Sequence, residues 1–244
     1  MIIPAAGLGT RMVLATGAKG EKAARSKQFA ELNGIPILMH TLRKFCSSPS
    51  VTEICIALRR NEIAPFKVRL ADERDGASGK PIQLVEGGEH RQHSVAQAVA
   101  AVTAAPDDVV LVHDAVRPFV TPQVIQDVID AVRKYGAAIA AIPAIDTVKQ
   151  VDRTAEGAIV TSTMPRERVV MAQTPQGFRY DVLKKAFDEA AVDGFLGTDE
   201  CSLVERSGHD VAVVMGSPRN IKITNPSDLE LAEFYMQSEV RPNK

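Results

Sequence analysis

The opening Pro4-Ala5-Ala6-Gly7-Leu8-Gly9-Thr10-Arg11-Met12 places two glycines and a permanent cation directly after the short apolar run Met1 to Pro4. Small residues at such a turn let backbone N–H groups approach a phosphate closely, and a guanidinium adds charge. Neither familiar phosphate loop fits. A dinucleotide fingerprint needs a third glycine where Met12 stands, and a Walker loop needs Gly-Lys-Ser/Thr. Asp114 follows the apolar run Asp108 to His113, and ligands of open α/β sheets bind outside strand carboxyl ends, so it is the best carboxylate for orienting a metal or a ribose. His113 beside it reads as a packed strand-end histidine.

Positioning these groups requires a scaffold, and short β-branched runs alternate with amphipathic runs along most of the chain. That is the pattern of an α/β fold with a mostly parallel sheet. Strands are predicted at Met1 to Pro4, Thr52 to Leu58, Ile82 to Glu86, Asp108 to His113, Ala137 to Pro143 and Val211 to Met215. Helices are predicted at Ile37 to Phe45, His93 to Val102, Val124 to Tyr135, opened by Thr121-Pro122, and Pro226 to Met236. Residues 146–173 break the alternation with short runs separated by Gly157 and Pro165. They read as a β arm whose exposed edges need cover, predicted to come from a second copy of the chain.

The chain has 244 residues, 45% apolar and 24% charged, which suits one large domain, 1–244, with a sizeable core. Its net charge of -1 marks no nucleic-acid or membrane-surface partner, so any anion site must be local. Three cysteines, Cys46, Cys55 and Cys201, are without metal-ligand spacing and suit buried thiols in a reducing cytoplasm. The most apolar stretch, Ala137 to Ile145, is far short of the roughly 20 residues that span a bilayer, and the first residues lack the basic region of a secretory signal.

Gly-x-Gly-x-Arg after a first strand, followed later by a lysine, resembles the opening of the nucleotidyltransferases that build nucleoside-diphosphate sugars. Further segments agree in order: Ser26-Lys27-Gln28-Phe29, Gly87 to Val95, His113 to Pro118, Asp146 to Lys149, Thr174-Pro175-Gln176, Thr198-Asp199-Glu200 and Asn220 to Thr224. The ordered set resembles the 2-C-methyl-D-erythritol 4-phosphate cytidylyltransferases, CTP-using enzymes of the non-mevalonate isoprenoid pathway.

The resemblance implies a Rossmann-like nucleotidyltransferase fold and a reaction between CTP and 2-C-methyl-D-erythritol 4-phosphate. It implies that Arg11 and Lys27 stabilise the transition state, with Mg²⁺ as a third cation held mainly by phosphates and water. Asp114 is the one protein ligand expected for that metal. Pro4, Ala5, Ala6, Gly7, Gly9, Gly88, Glu89, Ser94, Asp114 and Ala115 would hold the nucleotide, the family often having Asp where Glu89 stands. Arg117, Thr147, Arg166, Thr174 and Lys222 would hold the sugar phosphate, Lys222 and Arg166 counting also as catalytic. In the family the β arm reaches the neighbouring subunit, which implies a homodimer with shared sites. The stretch from Val13 to Ser26 is longer than the family's usual loop and is predicted to form a lid. Two alternatives stay open here: a cytidylyltransferase for ribitol 5-phosphate, and a nicotinamide-dependent oxidoreductase.

Overall fold

The structure is a computed structural model, and it describes residues 1–7, 26–73 and 79–240. Gly9, Arg11 and the predicted lid up to residue 25 lie outside the described residues. In chain order the elements are β1 (Ile2–Pro4), β2 (Glu31–Leu32), β3 (Ile35–Pro36), α1 (Ile37–Cys46), β4 (Ile54–Leu58), α2 (Arg60–Asp72), β5 (Ile82–Glu86), α3 (Arg91–Ala101), β6 (Val109–Val112), α4 (Pro122–Tyr135) and β7 (Ala137–Pro143). There follow β8 (Lys149–Thr154), β9 (Gly157–Thr163), β10 (Val170–Arg179), α5 (Tyr180–Asp193), α6 (Glu200–Arg206), β11 (Ala212–Met215) and α7 (Pro226–Val240).

Seven strands form one sheet in the order β11-β7-β10-β6-β1-β4-β5. All neighbours run parallel except β10, which is antiparallel to both β7 and β6. Successive strand residues point to opposite faces, and both faces are covered. Ile3 packs in one cluster with Leu38, Met39 and Leu42 of α1 and Ile125 and Val128 of α4. Its neighbour Ile2 packs on the other side with Val95 and Val99 of α3, Leu183 of α5 and Leu203 of α6.

Local chemistry explains the helix ends. The Thr121 hydroxyl accepts from Val124 N at 3.3 Å, Pro122 occupies the first turn, and Gly136 ends α4 at φ 87°. At the start of α6, the Asp199 carboxylate accepts from Ser202 N at 2.9 Å.

The sequence reading differs from the structure at the end of the arm, in β10, and in several elements it leaves unassigned, the short strands β2 and β3 among them. The predicted arm of 146–173 contains a separate antiparallel hairpin, β8 and β9, but its last residues already belong to the main sheet, Val170 pairing with Pro143 of β7. The sequence reading has no strand over Thr174-Pro175-Gln176, yet they lie mid-sheet in β10. Helices α2, α5 and α6 lie in stretches to which the pattern above assigns no element.

Candidate active site

Strand β1 ends at Pro4, and Ala5 continues its pairing by donating to Ala57 O at 2.8 Å. Strand β5 ends at Glu86, and Gly87 N donates to Leu58 O at 2.7 Å. The two turns touch because of glycine: a Cβ on Gly87 would lie 2.6 Å from Ala6 Cβ and 2.9 Å from Ser94 Oγ, and one on Gly88 would lie 2.4 Å from His93 Cβ. Ser94, 2% exposed, donates its hydroxyl between His90 O at 3.1 Å and Gly88 O at 3.2 Å, which fixes the β5–α3 turn.

These turns and the end of β6 enclose a cleft of about 220 Å³ at the carboxyl ends of the strands. Of the residues singled out from sequence, Pro4, Ala5, Ala6, Gly7, Lys27, Gly88, Glu89, Ser94, Asp114, Ala115 and Lys222 line it. Gln28, His90, Arg91 and Val116 join them. A larger recess of about 530 Å³ lies at the opposite end of the strands, among Met1, Thr52, Glu53, Asp107 and Asp108, far from the glycine turns.

The charge in the cleft is organised around Asp114, which is 6% exposed. Its Oδ1 accepts from Arg91 Nε at 3.1 Å, and its Oδ2 accepts from Lys222 Nζ at 2.9 Å and Arg117 Nε at 3.2 Å. Burial opposes the charge, but Arg91, Lys222 and Arg117 overcome it and hold the carboxyl far below the usual range. Arg91 also forks onto Glu200, NH1 lying 2.6 and 2.8 Å from the two oxygens. Glu200 is 1% exposed; burial raises its pKa and Arg91 works against that rise. Arg117 donates to Asn220 O at 2.7 Å, tying the Lys222 segment to the end of β6.

Behind this cluster His113 is fully buried. Thr174 Oγ1 accepts from Asp114 N at 3.0 Å and donates to His113 Nδ1 at 3.0 Å, which leaves Nε2 as the donor to Arg117 O at 3.0 Å. Burial lowers the His113 pKa to about 4 and so favours the neutral ring that these roles describe.

Arg117 and Thr174 therefore support the cleft from behind. Thr147 and Arg166 do not line it: Arg166 lies beyond the hairpin, its side chain 60% exposed, with NH1 donating to Ile145 O at 3.2 Å. Arg91 and Glu200 are the functional candidates the sequence reading does not single out. Both occur inside quoted motif segments, but nothing in the sequence pairs them across 109 positions.

Asp114 could meet a metal ion only in part. Three charged donors already occupy its two oxygens, which leaves Oδ1 for at most one monodentate contact, and no group of three or more His, Cys, Asp or Glu gathers among the described residues. That donor set fits a Mg²⁺ ion carried mainly by phosphate oxygens.

A seven-stranded, mostly parallel α/β sheet with one antiparallel strand and a small-residue turn after β1 is the fold of a nucleotidyltransferase. Residues 1–238 match the sequence profile of IspD: 2-C-methyl-D-erythritol 4-phosphate cytidylyltransferase. The protein of that name from Acidobacterium capsulatum is 54% identical over 237 residues, which is 97% of this chain and 96% of its own. The chain belongs to this cytidylyltransferase family. Among solved structures, the Francisella tularensis 2-C-methyl-D-erythritol 4-phosphate cytidylyltransferase is similar with a TM-score of 0.76 at 36% identity, covering 96% of this chain and 97% of its own. The 4-diphosphocytidyl-2C-methyl-D-erythritol synthase of Anaerococcus prevotii is similar with a TM-score of 0.79 at 29% identity, covering 97% and 94%. These relatives support neither the ribitol-phosphate nor the nicotinamide alternative.

Proposed function

We propose that the chain, as one nucleotidyltransferase domain, joins CTP to 2-C-methyl-D-erythritol 4-phosphate, giving 4-diphosphocytidyl-2-C-methyl-D-erythritol and pyrophosphate. A phosphate oxygen of the sugar alcohol attacks the α-phosphorus in line. The bond to the bridging oxygen breaks, and pyrophosphate leaves with the electron pair. The nucleophile arrives ionised, so no general base is needed, and the main barrier is repulsion between two anions. The observation that carries this reading is that Lys27 and Lys222, from distant parts of the chain, line one cleft with Asp114.

In this reading Lys27 and Arg11 stabilise charge growing on the α-phosphate, each worth about 3 kcal/mol when well placed. Lys222, steadied by Asp114, holds the attacking phosphate. Ala6, Gly7, Gly88, Glu89 and Ser94 frame the base, and the close walls at Gly87 and Gly88 exclude a purine by size. Bound Mg²⁺ would neutralise the triphosphate and touch the protein through Asp114 at most.

The arm completes the site from a second copy. All residues of β8 and β9 are exposed, including Val151, Ile159 and Val160, a hairpin that calls for a partner surface. Thr147 and Arg166 at its base then contact the neighbour's sugar phosphate. Three buried free thiols favour the cytoplasm as the place of work, and among the described residues no helix is long and apolar enough to cross a membrane.

Pyrophosphate release from CTP with each polyol phosphate tests the reading. Turnover with 2-C-methyl-D-erythritol 4-phosphate is expected, and turnover with ribitol 5-phosphate alone would overturn it.

A further inference from the structure

Lys27 stands between two buried residues, each anchored to a different part of the cleft wall. Ser26 and Gln28 are both 2% exposed. The Ser26 hydroxyl donates to the Glu62 carboxylate in the first turn of α2. The Gln28 amide nitrogen donates to Ala5 O, just past the end of β1. The start of α2 also reaches the glycine turn, with Arg59 Nε donating to Ala6 O at 3.0 Å. Just past the second anchor, Phe29 N and Ala30 N bond back to Ser26 O at 2.9 Å and Lys27 O at 3.1 Å, closing a single turn that carries the lysine.

A lysine side chain has about 2 kcal/mol of rotamer freedom, so its placement depends on how firmly its backbone is held. Phe29 against Phe66 and Ile37 N donating to Ala30 O at 2.9 Å hold the far end of this turn, and one side-chain anchor alone would leave the lysine's own end held from one side only. Two, on either side of the same residue, fix the direction in which Lys27 leaves the chain, and the Gln28 bond sets its distance from the Ala5-Ala6-Gly7 turn.

We propose that Ser26 and Gln28 are positioning residues for Lys27, a two-point brace that holds its ammonium at the nucleotide's α-phosphate. The inference rests on the catalytic reading of Lys27 given above. Displacement of a catalytic group by about 1 Å can cost on the order of 10² in rate, whereas Ser26 does not line the cleft and Gln28, which does, commits its amide nitrogen to Ala5 O, so ground-state nucleotide binding should barely notice the brace.

The test uses the full chain with Ser26→Ala and Gln28→Leu, each alone and combined with Lys27→Ala, measuring kcat by pyrophosphate release, CTP affinity by calorimetry and folding by thermal midpoint. The single variants should lose about tenfold or more in kcat while CTP affinity changes by less than about threefold. In the Lys27→Ala background neither should lower kcat further, because substitutions acting through one group are not additive. The two variants remove separate anchors, so either one that folds decides the matter. Wild-type kcat in the folded variants, or an undiminished further loss in the Lys27→Ala background, would overturn the brace and leave the role of Lys27 standing. Full activity of Lys27→Ala by itself would overturn both.

Discussion

Asp114 carries three cations on two oxygens while almost buried, and that balance decides how the site responds to substitution and to pH. Removing one partner of a buried ion pair costs about 3–5 kcal/mol. Arg91 and Lys222 keep some solvent contact, their side chains 26% and 35% exposed, so Asp114→Ala falls at the low end. A loss of about 3 kcal/mol is expected, read as a lower urea midpoint at unchanged slope. Lys27→Ala or Arg11→Ala should lower kcat by a factor on the order of 10² with the fold intact. His113 governs a pH effect. Its pKa falls from 6.5 to about 4 on folding, so the fold prefers the neutral ring; this contribution is complete above pH 6.5 and lost as pH drops toward 4. The loss amounts to about 3 kcal/mol, opposed in part by Glu200, whose raised pKa favours protonation in the fold. An NMR titration should find the His113 ring neutral at pH 5.5, and a midpoint near 6.5 would contradict the network through Thr174 and Arg117.

At the scale of elements, β10 does the most to build the site and was the least legible. Strands β1, β4 and β7 announce themselves as apolar runs because helices cover both faces of the sheet. In β10 the run Gln173-Thr174-Pro175-Gln176-Gly177 carries side chains chosen for polar contacts. Gln173 Nε2 donates to Ser217 O at 2.8 Å, Asn220 Nδ2 donates to Thr174 O at 2.8 Å, and Gln176 Nε2 donates to Asp199 at 2.7 Å. One irregular strand thus ties down both the Lys222 segment and the cap of α6 that presents Glu200. No apolar periodicity can report such a role. Pro65 hides α2 in the same way, and the pairing of Arg91 with Glu200 exists only once α3 and α6 meet. By contrast Ala6, Gly88 and Ser94 were legible because a close approach of turns leaves small residues at fixed places. Gly177 is a further case: a Cβ there would lie 2.7 Å from Val128 Cγ1, 2.8 Å from Val132 Cγ2 and 2.9 Å from Leu111 Cδ2. Gly177→Ala should therefore destabilise by about 1–3 kcal/mol through overpacking between β10 and α4, seen as a drop in thermal midpoint.

For the whole molecule, the arm was legible as a break in the α/β alternation, though its end was not, since Val170 to Gln173 read as more arm and instead enter the sheet beside β7. If Arg166 acts on the neighbour's substrate, Arg166→Ala should raise KM for the sugar phosphate and leave CTP affinity near that of the wild type. Mixed dimers of Arg166→Ala and Lys27→Ala chains should then regain activity, because one of the two sites has both residues intact, and verified mixed dimers without recovery would count against sharing. The account as a whole depends on Lys27 and Lys222 serving the same pair of phosphates. A crystal structure with the cytidine diphosphate product measures this directly. Both ammonium groups are predicted within about 3 Å of diphosphate oxygens, with the base against Gly88 and Ser94. A diphosphate bound away from either lysine, or in the recess at the other end of the strands, would contradict it.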